Sequence, residues 1–238
     1  MTWEPWDGAF NLFDAGGVLT SRGVTRSGVV FRSGRPETLT DQGWQDARRD
    51  GLRTIIDLRN ERERGRRDHD PVIDEAAAAG ILVIATPTED PDDAEFMRVC
   101  GPWLDHPRSY ADNLTFYPDR FRAVFVALAR AEPSVLIHCS GGRDRTGMIV
   151  ALLLSLAGAS PSAIADDYER SFREAWIYQS HHPELAHEPP RTPAEMDARI
   201  AERRTAMIEW IGGFDVADYL DELGLSAVEI ATLEALLN

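Results

Sequence analysis

Lysine is absent from this 238-residue chain, and all 25 of its basic residues are arginine. Chemistry that needs an amine side chain, such as Schiff-base formation, is therefore excluded. Cysteine is scarce, with only Cys100 and Cys139. Two thiols without a secretory signal argue against a disulfide scaffold. Neither has a C-x-x-C partner, which argues against a zinc knuckle. Long apolar runs are missing too. The longest, Met148 to Ala157, is about half of the ~20 residues a spanning helix needs, so no stable membrane insertion is expected. The first residues, Met1-Thr2-Trp3-Glu4-Pro5-Trp6-Asp7, lack a basic start and an apolar h-region, so no signal peptide is read there. The expected address is cytoplasmic. Positive charge is in deficit: the formal net charge is −15. Such a surface repels nucleic acid and anionic lipid at long range, so no nucleic-acid partner is expected. An anionic substrate would have to be captured by a local positive site.

With 43% apolar residues the chain can fill a sizeable core. Its length fits a single domain over residues 1–238. Strand patterns appear at Gly28 to Ser33, Arg53 to Leu58, Ile81 to Thr86 and Val135 to His138. A helix capped at Thr40-Asp41 runs through Arg49, with Gly51 just past its end. Pro71 to Ala79 reads as a helix stopped by Gly80. Tyr117 to Arg130 reads as an amphipathic helix with Phe121, Val124, Phe125 and Leu128 on one face. Glu89 to Pro118, with four prolines, reads as an irregular insertion, either a lid over the site or a surface segment packed by its own aromatics. Its Trp103, Tyr110 and Tyr117 are candidate pocket residues. From about residue 160 to the end the pattern is helical: Ser162 to Arg173, Pro193 to Ile211, Val216 to Leu223 and Ser226 to Leu237. Trp176 to Pro190, with His181, His182 and His187, reads as a long loop whose histidines lack metal spacing. Strands alternating with helices predict an α/β fold, a largely parallel sheet flanked by helices with a helical C-terminal portion. Ligands of such sheets bind beyond the carboxyl ends of the strands. The loops after Asp57 and after His138 leave by that edge.

The second of those loops carries the most chemistry. His138-Cys139-Ser140-Gly141-Gly142-Arg143-Asp144-Arg145-Thr146-Gly147 follows an apolar strand and opens into a helix. Backbone N–H groups and the positive helix end then surround one cysteine, which favours both anion binding and a thiolate. The Cys139-to-Arg145 spacing lets the loop amides converge while a planar guanidinium returns over the same centre. Cys139 would attack phosphorus, and Arg145 with the amides of residues 140–146 would stabilise the phosphoryl oxygens. Ser140 or Thr146 would hydrogen-bond the thiolate. His138 would orient the loop through a backbone hydrogen bond. Gly141 and Gly142 would allow close approach and positive φ. A general acid must protonate the leaving oxygen. Asp144 is the favoured candidate, with Asp57 close by or paired with an arginine such as Arg59; Asp112 and Asp119 are further candidates. The cluster Arg62, Arg64, Arg66 and Arg67, interleaved with acids, reads as a salt-bridged face. Cys100 reads as a lone lid thiol, or as a partner for Cys139 under oxidation.

The loop resembles the signature of cysteine-dependent protein tyrosine phosphatases, and more narrowly the H-C-x-x-G-K-D-R-T-G form of a bacterial family that includes lipid-phosphatase-like members. Asn11 to Gly17 is similar to its N-x-R-D-x-G-G. Phe31-Arg32-Ser33-Gly34 with Leu39-Thr40, Thr54 to Arg59, and Gly212 to Ser226 resemble further family segments. Two letters differ: the family lysine is Arg143, and the N-terminal arginine is Phe13. The resemblance implies a phosphomonoesterase that acts on phosphotyrosine, with room for a broader specificity, through a cysteinyl-phosphate intermediate. It needs no metal or other cofactor and releases phosphate. The alternatives are the same chemistry on a small phosphate ester (nucleotide, sugar or inositol phosphate) and a phospho-binding module without turnover. A sulfur-transfer or arsenate-reducing enzyme also uses a cysteine loop, but the Arg-Thr-Gly continuation disfavours it.

Overall fold

Four runs rich in aliphatic and β-branched residues form the centre of the protein. The computed structural model describes residues 4–182, 189 and 191–238. Its strands are β1 (Phe13–Asp14), β2 (Leu19–Thr20), β3 (Gly23–Val24), β4 (Val30–Ser33), β5 (Thr54–Asp57), β6 (Leu82–Ala85) and β7 (Val135–His138). The main sheet has the order β1-β4-β7-β5-β6, while β2 and β3 form a separate hairpin. Strands β4, β7, β5 and β6 are parallel, and β1 joins the edge antiparallel. Every residue of β4, β5 and β7 is buried, as expected for a sheet covered on both faces.

The alternation of side chains along these strands divides the core in two. Phe31, Ile55 and Leu136 point to one face and pack with Trp6, Trp44 and Ala47 of helix α1 (Asp41–Arg49). Val30, Ile56, Val135 and Ile137 point to the other. That larger side is covered by α4 (Pro118–Arg130), after α2 (Ala94–Val99) and α3 (Tyr110–Phe116), and by α5 (Asp144–Leu156). Four further helices complete it: α6 (Pro161–His181), α7 (Pro193–Gly212), α8 (Val216–Glu222) and α9 (Ala227–Leu236). Helix α5 is apolar nearly all round because it sits between the sheet and the C-terminal helices.

Three expectations need correction. Pro71 to Ala79 forms only a 3₁₀ turn, Glu75–Ala78. Its alanines offer little to bury, and short helices without a buried stripe are marginal. Glu89 to Pro118 is largely helical rather than irregular. Pro102, Pro107 and Pro118 occupy first-turn positions, where no amide hydrogen bond is lost. Trp176 to His181 continues α6, supported by Tyr178 stacked on Phe10 at 4.3 Å. His187 and Pro190 lie outside the described residues.

The register places Ser33, His138, Asp57 and Ala85 in one row across the parallel strands. The segments after β4, β5, β6 and β7 therefore emerge together at one edge.

Candidate active site

At that edge β7 ends and its chain turns into α5 through residues 139 to 143. The turn is held from outside by its carbonyls. His138 Nδ1 lies 3.2 Å from the Cys139 oxygen, and the Arg35 amide donates to Ser140 O. Asn11 Nδ2 donates to Gly141 O at 2.8 Å. Arg32 Nη2 and Ser171 Oγ both donate to Gly142 O, at 2.9 and 3.1 Å. Arg143 O accepts from the Gly147 amide. With its carbonyls engaged outward, the loop is free to turn its amides toward a common anion.

Gly142 is fixed in this role. Its φ is +68°, and a Cβ there would lie 2.3 Å from the Ser33 carbonyl carbon. Gly141 carries no such demand, since a Cβ would meet nothing within 4 Å. Close approach and positive φ thus apply to Gly142 alone. Arg32 is wholly buried and ion-paired with Asp167 of α6, so the loop is braced from β4 and α6 together.

Cys139 is 3% exposed and opens onto a cavity of about 390 Å³. Its neighbours in the lining include Glu63, Glu89, Gly141, Arg143, Asp144 and Arg145. Leu104, Pro91 and Ala175 supply apolar wall. Neither Trp103 nor Tyr117 is in this lining, and Tyr110 is buried beneath Asp144. Phe96, Phe116 and Tyr117 pack on one another instead.

Arg145 is gripped by a carboxylate that sequence reasoning missed. Its Nη1 and Nη2 donate to the two oxygens of Glu63, each at 2.6 Å. The same carboxylate accepts from Ser140 Oγ at 2.6 Å and from the Asn60 amide at 3.0 Å. Burial opposes ionisation of Glu63, but Arg145 and Ser140 outweigh it and hold its carboxyl at about 2. In turn Glu63, with the sulfur of Cys139 and Glu89, keeps Arg145 more firmly protonated than burial would allow. The Nε edge of the guanidinium faces Glu89, with Nε to Oε2 at 3.6 Å. Two signals for Glu63 were present in the sequence. It follows a strand end at the right edge, and Asn60 with Glu63 makes a capping box around a short 3₁₀ turn.

The other anticipated residues divide between cavity and support. His138 is buried beneath the loop, and burial pushes its imidazole down to about 4. Asp57 is not in the cavity lining. It pairs with Arg59 through Nε and Nη2, both at 2.9 Å, and lies 3.6 Å from His138 Nε2. Burial opposes its charge, yet Arg59 and His138 hold its carboxyl below the usual range. Asp144 Oδ1 accepts from Tyr168 at 3.1 Å and Tyr110 at 3.3 Å, and Oδ2 accepts from Arg143 Nε at 2.8 Å. Three donors on one carboxylate suit a brace that ties the loop to α3 and α6. Arg143 Cζ lies 4.4 Å from the centre of the Phe172 ring, a cation–π contact. Thr146 is fully buried, and its Oγ1 has no hydrogen-bond partner among the described residues. Ser140 directs its hydroxyl to Glu63. Arg62 lines the cavity mouth and pairs with Asp92, while Arg64 reaches under the site to Asp57 and the Arg59 carbonyl. Cys100 is a free buried thiol in the helical insertion, raised to about 11 by burial and nearby acids. Among the described residues no group of three His, Cys, Asp or Glu side chains could hold a metal ion. No described helix is long and apolar enough to cross a membrane.

Comparison with known proteins places this geometry in context. A family model described as "Tyrosine phosphatase family" matches residues 4–238. The triple specificity protein phosphatase PtpB of Mycobacterium tuberculosis is 32% identical over 194 residues, covering 69% of this chain and 67% of its own length. A Cupriavidus necator relative is 28% identical over 189 residues, 74% of this chain and 65% of its own length. The chain thus spans about two thirds of the length of these relatives. A crystal structure of P. aeruginosa TpbA in complex with pTyr matches at 15% identity and a TM-score of 0.37, covering 85% of this chain and 90% of that one.

Proposed function

Because the chain belongs to the tyrosine phosphatase family, we propose that the cavity at the sheet edge hydrolyses phosphate monoesters with Cys139 as nucleophile and Arg145 as phosphate clamp. Phosphotyrosine, in a protein or as a free ester, is the leading substrate. The observation that carries this reading is the state of Arg145. Glu63 holds Nη1 and Nη2 by two 2.6 Å bonds, which fixes the guanidinium in the lining of the cavity it shares with Cys139. A planar donor fixed in this way stabilises equatorial phosphoryl oxygens without reorganising during the reaction.

The reaction then runs in two displacements. Cys139 Sγ attacks phosphorus and the ester oxygen departs. Water afterwards attacks the cysteinyl phosphate and releases phosphate. Ser140, Gly141, Gly142, Arg143 and Asp144 contribute loop backbone to the anion cradle. Thr146 stands behind it with a buried hydroxyl that has no hydrogen-bond partner among the described residues. His138 and the Asp57–Arg59 pair position the loop from below. The whole of residues 1–238 acts as one catalytic unit, its helical insertion at 89–118 forming one wall. A thiol nucleophile works where thiols are kept reduced, which supports a cytoplasmic setting.

The test is turnover by the purified protein in EDTA on aryl phosphates, phosphotyrosine peptides and a panel of small phosphate esters. Cys139→Ser should abolish turnover while still binding phosphate ester. Turnover that survives this substitution would overturn the reading. A small ester turned over far faster than phosphotyrosine would move the substrate to metabolism and leave the mechanism intact.

A further inference from the structure

We propose that Glu89 is the proton donor to the leaving oxygen, and the base that activates water in the second step. This rests on the phosphatase reading above. Glu89 follows β6, so it reaches the same sheet edge as the cysteine loop from the neighbouring side. Its backbone is fixed from α4: Arg120 donates to the Glu89 carbonyl at 2.5 Å and to Asp90 Oδ2 at 2.7 Å. Its side chain is 13% exposed and lines the cavity with Cys139 and Arg145. Asn113 Nδ2 donates to Oε1 at 3.3 Å, which orients the carboxyl. Oε2 then faces the Nε edge of Arg145 at 3.6 Å, the edge that Glu63 does not hold.

The competing acids are committed elsewhere. Glu63 accepts two bonds from Arg145, one from Ser140 and one from the Asn60 amide. Asp57 is locked to Arg59 outside the cavity. Asp144 accepts from two tyrosines and Arg143. The networks of Glu63 and Asp57 hold those carboxyls ionised, whereas a donor must hold a proton, and both oxygens of Asp144 are already engaged by neighbouring donors. Glu89 has the opposite surroundings. Burial raises its proton affinity, Arg145 opposes this, and the nearby charges of Glu63 and Asp144 raise it further. Cys100 also lies close to this carboxyl. A bound phosphate would neutralise Arg145 and add like charge, so the proton is held more firmly once substrate is in place.

The bonds balance as follows. The Cys139 thiolate pair forms the S–P bond, the P–O ester bond breaks, and its electron pair takes the proton from Glu89 Oε2. The Glu89 carboxylate then removes a proton from water as the water oxygen bonds to phosphorus. The S–P bond returns its pair to sulfur, and Glu89 is again protonated.

The experiment compares wild type, Glu89→Gln and Asp144→Asn on a series of esters. The series runs from 2,4-dinitrophenyl phosphate, whose phenolate departs unaided, to phenyl phosphate and phosphotyrosine. Glu89→Gln should lower kcat/KM, which reports only the step that expels the leaving oxygen, by about 10²–10³-fold on phenyl phosphate and by no more than about threefold on the dinitrophenyl ester. The alkaline limb of the wild-type kcat/KM profile on phenyl phosphate should vanish in this variant. Asp144→Asn should lower all esters alike. Equal loss across the series in Glu89→Gln, or no loss, overturns the assignment. If Glu89→Gln lacks a cooperative melt, Glu89→Asp takes its place. Loss on phenyl phosphate alone, with the alkaline limb kept, then supports the assignment, and any other pattern overturns it. Absence of Cys139-dependent turnover in the wild type on every ester would instead defeat the phosphatase reading itself.

Discussion

At the residue scale, the site works by assigning each ionisable group one charge state. Glu63 is kept ionised by Arg145, and His138 is kept neutral by burial. The histidine has a consequence for stability. Its folded pKa of about 4 lies below the ordinary 6.5, so between those values the unfolded chain binds more protons. Its contribution is fully present above pH 6.5 and is lost as pH falls toward 4, amounting to at most ~3–3.5 kcal/mol. Thermal unfolding of His138→Asn, which keeps a donor for the Cys139 carbonyl, should show a flatter pH slope in that window than wild type. An unchanged slope would place the proton uptake elsewhere. Glu63→Gln should keep the fold and the nucleophile but release the Arg145 fork. We expect kcat/KM to fall about 10–100-fold with a rise in KM, since one charge-assisted grip is worth ~1.5–3 kcal/mol. Steady-state kinetics on an aryl phosphate checks this.

At the element scale, the strand–loop–helix passage through Cys139 dominates, and its two glycines differ. Gly142→Ala puts a Cβ into the Ser33 carbonyl at positive φ, whereas Gly141→Ala meets open space. The first should cost about 2–4 kcal/mol and lower Tm by roughly 5–15 °C, and the second should leave Tm within about 2 °C. Differential scanning calorimetry of both variants decides the matter. This passage was legible in the sequence because apolar strand, glycine turn and apolar helix are local patterns. So were β4, β5 and β7, and the face of α4 that carries Phe121, Val124, Phe125 and Leu128. The helical insertion was not, because its prolines read as breakers when they in fact start helices at first turns. Glu63 and Glu89 were also missed as site residues. Each sits in a run of charged residues with no period; Glu63 had its strand end and capping box as signals, and the register row Ser33–His138–Asp57–Ala85 is what brings both loops to the edge of the cysteine. Asp144 and Asp57 were visible as acids, and the Asp57–Arg59 pair is local, but the two tyrosines on Asp144 come from distant segments.

At the scale of the whole molecule, a strongly acidic chain surrounds a cavity in which Arg62, Arg143 and Arg145 are matched by Glu63, Glu89 and Asp144. With a formal charge of −15, long-range repulsion slows the approach of dianionic esters, and salt screens it within about 10 Å at 0.1 M. We expect kcat/KM for a phosphopeptide with acidic flanks to rise between low and physiological salt, and for one with basic flanks to fall. The same direction for both peptides would mean that the local field of Arg62, Arg143 and Arg145 governs approach. The braces of the cysteine loop carry a different kind of consequence, one in time. Asn11 bonds Gly141 from 130 positions upstream, and Ser171 bonds Gly142 from 29 positions downstream. A nascent chain that has just emerged through Arg145 therefore holds both its thiol and its guanidinium but none of the α6 contacts that shape the turn between them. The reactive sulfur is made long before it is armed, and arming waits for the polypeptide to close on itself from both ends.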